Sequence, residues 1–176
     1  LSGAAVFVER FVDVAPAATA LASSHAAEAA RLNDARWNGW QPWDDDAAAR
    51  TGPITRDHPE WAMLVWPKRV SLRGLGVLFP FLGTADVQVY EGPDAVHPRE
   101  ADERSWRTLA TPSFVNAYPH TLEPTWIDFG RNVTTRAVRL RIVAPIAVEG
   151  HQHEGKSRGG KRVSIDEIMA IAALGG

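Results

Sequence analysis

Cysteine is absent from the sequence. That excludes disulfides, thiol nucleophiles and thiolate metal centres, but it leaves the compartment open, because exported bacterial proteins also do without cysteine. Long apolar runs are absent too. No stretch reaches the ~18 consecutive apolar residues of a membrane-crossing helix, so no membrane insertion is expected. A charge excess is lacking: 19 Lys and Arg face 21 Asp and Glu, a formal net charge of −2 at pH 7. No whole-molecule field therefore draws the chain to nucleic acid or to an anionic membrane. Tyrosine is scarce at 2 residues, whereas tryptophan reaches 7. The opening LSGAAVFVERFVDVA carries Glu9 and Arg10 inside its apolar stretch, which makes a poor export signal. The expectation is a single domain over residues 1–176, cut from a longer protein.

What is present is an ordinary soluble composition, 45% hydrophobic and 23% charged over 176 residues, enough for one well-buried core. The dominant pattern has period two. In DVQVY, Val87 and Val89 share one face while Asp86, Gln88 and Tyr90 share the other. In RAVRLRIVA, Val138, Leu140 and Ile142 oppose Arg139 and Arg141, as a half-buried strand requires. WAMLVW and RVSLRGLGVLF are apolar at nearly every position and read as central strands. TWIDFG, SWRTLA and VFVERFV read as shorter ones. Loops rich in Gly, Pro, Asp and Asn separate these runs, so the expected class is all-β, an antiparallel β-sandwich and not an α/β domain. The alanine-rich SSHAAEAARL predicts a short helical turn near residues 24–32. SIDEIMAIAALGG is ambiguous. Ser164 and Glu167 form a capping box ahead of good helix formers, yet Val163, Ile165, Glu167, Met169 and Ile171 also alternate.

Enzyme motifs are present only in fragments. Gly150, four residues, then Gly155-Lys156-Ser157 match a phosphate loop letter for letter. Such a loop needs a helix springing from its serine, whose N–H groups cradle the phosphates. Here Ser157 is followed by Arg158-Gly159-Gly160, and each glycine costs a nascent helix roughly 1 kcal/mol. A surface loop carrying Lys156, Arg158, Lys161 and Arg162 is the expectation. His151 and His153 form a His-x-His pair, but Glu154 adjoins directly and no third ligand follows at a workable spacing. Asp44 to Asp46 lack the spaced oxygens of a calcium-binding helix–loop–helix. RGLG lacks the third glycine of a dinucleotide fingerprint, and no G-x-S-x-G elbow occurs. No enzymatic activity is expected.

Taken in order, ALASS, RLNDARWNGW, EWAMLVWPKRVSLRGLGVL, DVQVYEG, SWRTLA, RAVRLRIV and VSIDEIMAI resemble the discoidin, or coagulation-factor type C, domain of the galactose-binding-like superfamily. The resemblance runs from about Ala20 to Ala172 and rests on order and spacing more than on any one piece. It implies a jelly-roll-like sandwich without catalysis and turns the ambiguous C-terminal segment towards strand. Bacterial members of that family are often carbohydrate-binding modules of secreted glycan-degrading enzymes, which implies an extracellular or cell-envelope location. Others bind proteins or phospholipid surfaces. Many members hold a structural calcium ion, and the matching positions here are Asp34, Asn38 and Glu167. The family's glycine after the aspartate is Ala35 in this chain, where a positive φ would disfavour alanine.

A sugar offers a C–H face and a rim of hydroxyls, so it binds an exposed aromatic plate flanked by fixed polar groups. Trp40 matches the family's buried tryptophan. Trp61, Trp66, Trp106 and Trp126 lie on strands and are expected in the core. Trp37 and Trp43 lie in loop sequence, where a ring either pins its loop or faces a ligand. The candidate ligand-binding residues are Trp43, Arg56, His58, Phe81, Tyr118 and His120. Arg56 is suited to fork onto paired hydroxyls. The competing expectation is a structural or protein-interaction sandwich packed on a neighbouring domain of its parent chain. Its mark would be a broad apolar patch in place of an aromatic plate rimmed by polar groups.

Overall fold

A computed structural model describes residues 10–36, 39–40, 53–114, 123–148, 152–153, 156–157 and 160–174. The strands in chain order are β1 (Arg10–Asp13), β2 (Thr19–Ala22), β3 (Glu60–Leu78), β4 (Gly83–Tyr90), β5 (Trp106–Ala110) and β6 (Ser113–Phe114). They continue with β7 (Thr125–Ala144), β8 (Ile146–Val148), β9 (Gln152–His153), β10 (Lys156–Ser157), β11 (Gly160–Arg162) and β12 (Glu167–Leu174). Every pairing is antiparallel.

Two strands are far longer than their sequence patterns announce. WAMLVW and RVSLRGLGVLF form one 19-residue strand, β3, and TWIDFG with RAVRLRIVA form one 20-residue strand, β7. Their mutual register jumps between Val65/Ala137 and Val70/Thr135, and again between Leu72/Val133 and Gly74/Asp128. The first jump falls at Pro67-Lys68-Arg69, exposed residues where proline has no N–H to give the ladder. At these bulges both strands turn from one layer of a sandwich into the other. The first layer has the order β2-β3-β7-β4-β5, with β6 beside β4. The second has the order β1-β12-β3-β7. The ambiguous C-terminal segment is strand, with Ile168 opposite Val77. The alanine-rich segment is a 3₁₀ turn over Ala26–Asn33.

Alternation along the strands builds the core between the layers. Leu64, Trp66, Val87, Val89, Leu140 and Ile142 come from the first layer and meet Leu72, Leu75, Val77, Val133, Ile168 and Ala170 from the second. Trp40 and Trp66 are buried there, and each satisfies its indole N–H on a backbone carbonyl, Ser24 at 2.7 Å and Val14 at 2.8 Å. The opposite face of the first layer carries a smaller cluster of Met63, Val65, Tyr90, Trp106 and Ala137, against which Trp61 packs half-buried.

Trp126 departs from its expected place. It is 60% exposed and lies outside the core. The strand it belongs to has only one buried face in the second layer, and Trp126 stands on the other. Within the phosphate-loop pattern, Lys156 and Ser157 pair as strand β10 with His153 and Gln152 of β9, and Gly160–Arg162 is strand β11.

Candidate functional site

The pairing register settles which connections leave which end of the sandwich. Ala22 pairs Ala62, Glu60 pairs Ile142, Thr84 pairs Ala144 and Val87 pairs Ala110, all at one end of the first layer. In the second layer Leu78 pairs Glu167, and Val77 pairs Thr125. Only the short 79–82 connection separates Leu78 of the second layer from Gly83 of the first, so the two layers share this end. The β2–β3, β3–β4, β6–β7 and β8–β12 connections therefore all start and finish together. The bridges Trp40–Ile165 and Phe81–Ser164 tie three of them into one surface.

Arg56, His58 and Phe81 lie on this end. Arg56 is held by its guanidinium head: its Nη1 donates to Asp86 Oδ2 at 3.1 Å, while 61% of its side chain is exposed. Asp86 is buried and serves as the hub, because Arg141 Nη1 donates to the same oxygen at 3.1 Å and Thr111 Oγ1 donates to Oδ1 at 2.9 Å. Arg141 also donates to the Arg56 carbonyl at 2.7 Å, which fixes the loop backbone. His58 is exposed on a tight turn in which its backbone N–H donates to Thr55 Oγ1 at 3.1 Å. Phe81 is half-buried. Trp43, Tyr118 and His120 lie outside the described residues, as do Trp37, Asp44 to Asp46 and His151.

Of the three positions matched to a calcium site, Asp34 and Glu167 are described and Asn38 is not. Glu167 is buried and accepts the Ala35 N–H at 3.0 Å. Burial pushes its carboxyl up to about 7 against the pull of that N–H, and the Asp34 and Asp13 carboxylates push the same way. Ala35 does adopt the left-handed conformation, at φ 57°, so the chain tolerates alanine where the family resemblance implies glycine. Among the described residues no three His, Asp or Glu side chains form a metal-holding group. A buried carboxylate facing two like charges nonetheless has the charge deficit that an oxygen-seeking cation relieves.

A second exposed feature has no counterpart among the expected site residues. An open trough of 420 Å³ crosses the outer face of the second layer, lined by Phe11, Arg73, Gly74, Trp126, Asp128 and Ile171 among others. The signal for it lies in the sequence. In TWIDFG, Trp126 shares its parity with Asp128 and opposes Ile127 and Phe129, which pack on the core, so the aspartate marks the solvent face on which the ring must stand.

The described strands make an antiparallel sandwich with its long connections gathered at one end, and the chain has the discoidin-like fold. Solved structures agree. An F5/8 type C domain from Bacteroides fragilis matches with a TM-score of 0.60 at 15% identity, covering 93% of this chain and 97% of that one. Chitosan-binding module 1 of a chitosanase/glucanase from Paenibacillus sp. IK-5 matches at 0.59 and 16%, covering 90% and 98%. The family 32 carbohydrate-binding module of C. perfringens NanJ, solved with galactose, matches at 0.59 and 10%, covering 92% and 99%. Other similar structures are longer, such as a truncated AlyQ with a family 32 module and an alginate lyase domain, of which 35% is covered. No family model and no curated protein matches the sequence. No helix among the described residues is long and apolar enough to cross a membrane.

Proposed function

We propose that this protein is a non-catalytic carbohydrate-binding module that grips a glycan at the loop end of the sandwich. The observation that carries the reading is the gathering of Arg56, His58 and Phe81 on connections that leave one end of the fold. The segments bearing Trp43, Tyr118 and His120 connect strands that finish at that same end. Arg56 is the anchored donor: with Nη1 of its guanidinium tied to Asp86, its remaining N–H groups are held in a fixed direction and lose little entropy on meeting paired hydroxyls. His58 adds a planar donor and acceptor, and the ring of Phe81 an apolar edge. The similar structures support this reading, since their names describe modules that bind galactose or chitosan. On this reading the role is binding.

Three further parts of the reading go with it. Asp34, Asn38 and Glu167 hold a structural calcium ion, the remaining oxygens coming from backbone carbonyls. The module is one domain of a larger exported protein and sits beside a catalytic or anchoring neighbour. Its location is extracellular or the cell envelope.

Isothermal titration against galactose, fucose, N-acetylglucosamine and chitosan oligosaccharides tests the proposal. Binding by at least one sugar, lost in the Arg56→Ala, His58→Ala double variant, is the expected result. Silence across the panel, or binding indifferent to that double variant, overturns the loop-end site.

A further inference from the structure

We infer that the trough on the outer face of the second layer is a separate glycan-binding site, built for interior rings of a neutral polysaccharide chain. The inference is independent of the loop end, which lies on other residues. Trp126 is the plate. Its ring lies flat over strand β3, where a Cβ added at Gly76 would meet its Cζ3 at 2.6 Å and its Cε3 at 2.9 Å. One face of the indole is therefore seated on backbone and the other looks into solvent, with 60% of the residue exposed. Gly74 and Gly76 leave the floor beside it without side chains. On the far strand, β1, Phe11 is 50% exposed and closes the other side of the trough. Large exposed rings scattered singly mean little, but two of them lining one depression mark a binding surface.

The rim supplies the polar half of sugar recognition. Arg73 Nε lies 3.4 Å from Asp128 Oδ1, and its Nη2 lies 3.5 Å from Oδ2. Asp128 is pinned by the Gly130 N–H, which donates to Oδ1 at 2.7 Å. A guanidinium and a carboxylate held side by side give donors and acceptors at the spacing of vicinal hydroxyls, with no net charge. Because the pair carries no net charge, it offers a uronic acid or an unacetylated amino sugar no net attraction, and a neutral ring is the better partner. The trough spans strands β7, β3, β12 and β1, three inter-strand spacings or roughly 14 Å, longer than one pyranose ring and open to solvent. It suits successive rings of an extended chain whose axial C–H faces lie flat on the plate, not a terminal sugar in a closed pocket.

The test uses the intact chain and the hexasaccharides of cellulose, laminarin, xylan and chitin as probes, read by titration and by mass-spectrometric footprinting of tryptophan oxidation. At least one hexasaccharide should bind, with affinity down at least ten-fold in Trp126→Ala and a few-fold in Asp128→Asn. The same hexasaccharide should slow oxidation of Trp126 in the parent. Protection of Trp126 from oxidation by that hexasaccharide should persist in the Arg56→Ala, His58→Ala double variant, because it reads the trough alone. Binding of all four hexasaccharides unchanged in Trp126→Ala overturns the proposal. So does binding lost in that variant without protection of Trp126, or no binding at all. A loss confined to the Arg56/His58 double variant leaves the loop-end site standing and removes this one.

Discussion

Replacing Glu167 by glutamine removes one charge and almost nothing else, which makes it the sharpest probe of the interior. The amide keeps an oxygen to accept the Ala35 N–H and keeps the volume of the buried side chain. In the folded protein the Glu167 carboxyl titrates at about 7, against 4.5 for an unperturbed glutamate. Between those two values the native state holds a proton that the unfolded chain has released. Stability therefore falls as pH rises through that window, and the loss is complete above about pH 7. At roughly 1.4 kcal/mol per pH unit the ceiling is about 3 kcal/mol. Urea unfolding of parent and variant, each in chelator at pH 4.5, 6 and 8, isolates this contribution because shared titrations cancel in the difference. Glu167→Gln should match the parent at pH 4.5 and exceed it by 1–3 kcal/mol, to order of magnitude, at pH 8. Calcium at pH 8 should raise the parent's midpoint and leave the variant's unmoved, because an ion that binds only the native state stabilises by mass action. A variant that gains nothing over the parent at pH 8, or that gains equally at pH 4.5 and 8, refutes the reasoning.

Other perturbations have equally definite outcomes. Arg139 is 5% exposed, stacks 4.2 Å from the Trp106 ring centroid, and donates to Gln88 and bidentately to Glu103. Glu103→Ala removes the carboxylate but leaves the guanidinium on Gln88 and the Trp106 ring; because the Glu103 side chain is 66% exposed, the loss should be about 1–2 kcal/mol in chemical denaturation, whereas Arg107→Ala, which breaks a surface pair with Glu91, should cost under about 1 kcal/mol. Ala35→Gly relieves a left-handed alanine and should raise stability by about 1 kcal/mol, read as a higher melting temperature. Gly83→Ala does the reverse. The residue sits at φ 88°, and a Cβ there would run into the Ala144 carbonyl oxygen, so a loss of at least about 2 kcal/mol is expected by the same assay.

Much of this fold is legible before any coordinates, and the unreadable parts have identifiable causes. The inward and outward sides of β4 and the later part of β7 follow from alternation, since Asp86, Gln88, Arg139 and Arg141 could not face a dry core unpaired. Continuity of β3 and β7 is hidden because Pro67-Lys68-Arg69 and Gly130 look like turns; a bulge uses the same residues without reversing the chain. The C-terminal segment satisfies both helix capping and alternation, and only its cross-strand partners on β3 decide between them. Trp126 reads as core because tryptophan is usually buried on strands, although Asp128 two residues on already marks its face as open. In the loop-end site, Arg56 is legible as a candidate but its anchor is not. Asp86 is 30 residues away in sequence, and such a pairing belongs to topology and not to spacing.

The passage of β3 and β7 through both layers sets how the molecule must come apart. In a sandwich made of two separate sheets, each face can peel away as its own piece. Here the same two backbones belong to both, so lifting one layer drags on hydrogen bonds of the other. Val65, Ala137 and their neighbours at the crossing become the last amides to open to deuterium, and the domain melts in a single step. Under a pull from either end, this unit answers as one body.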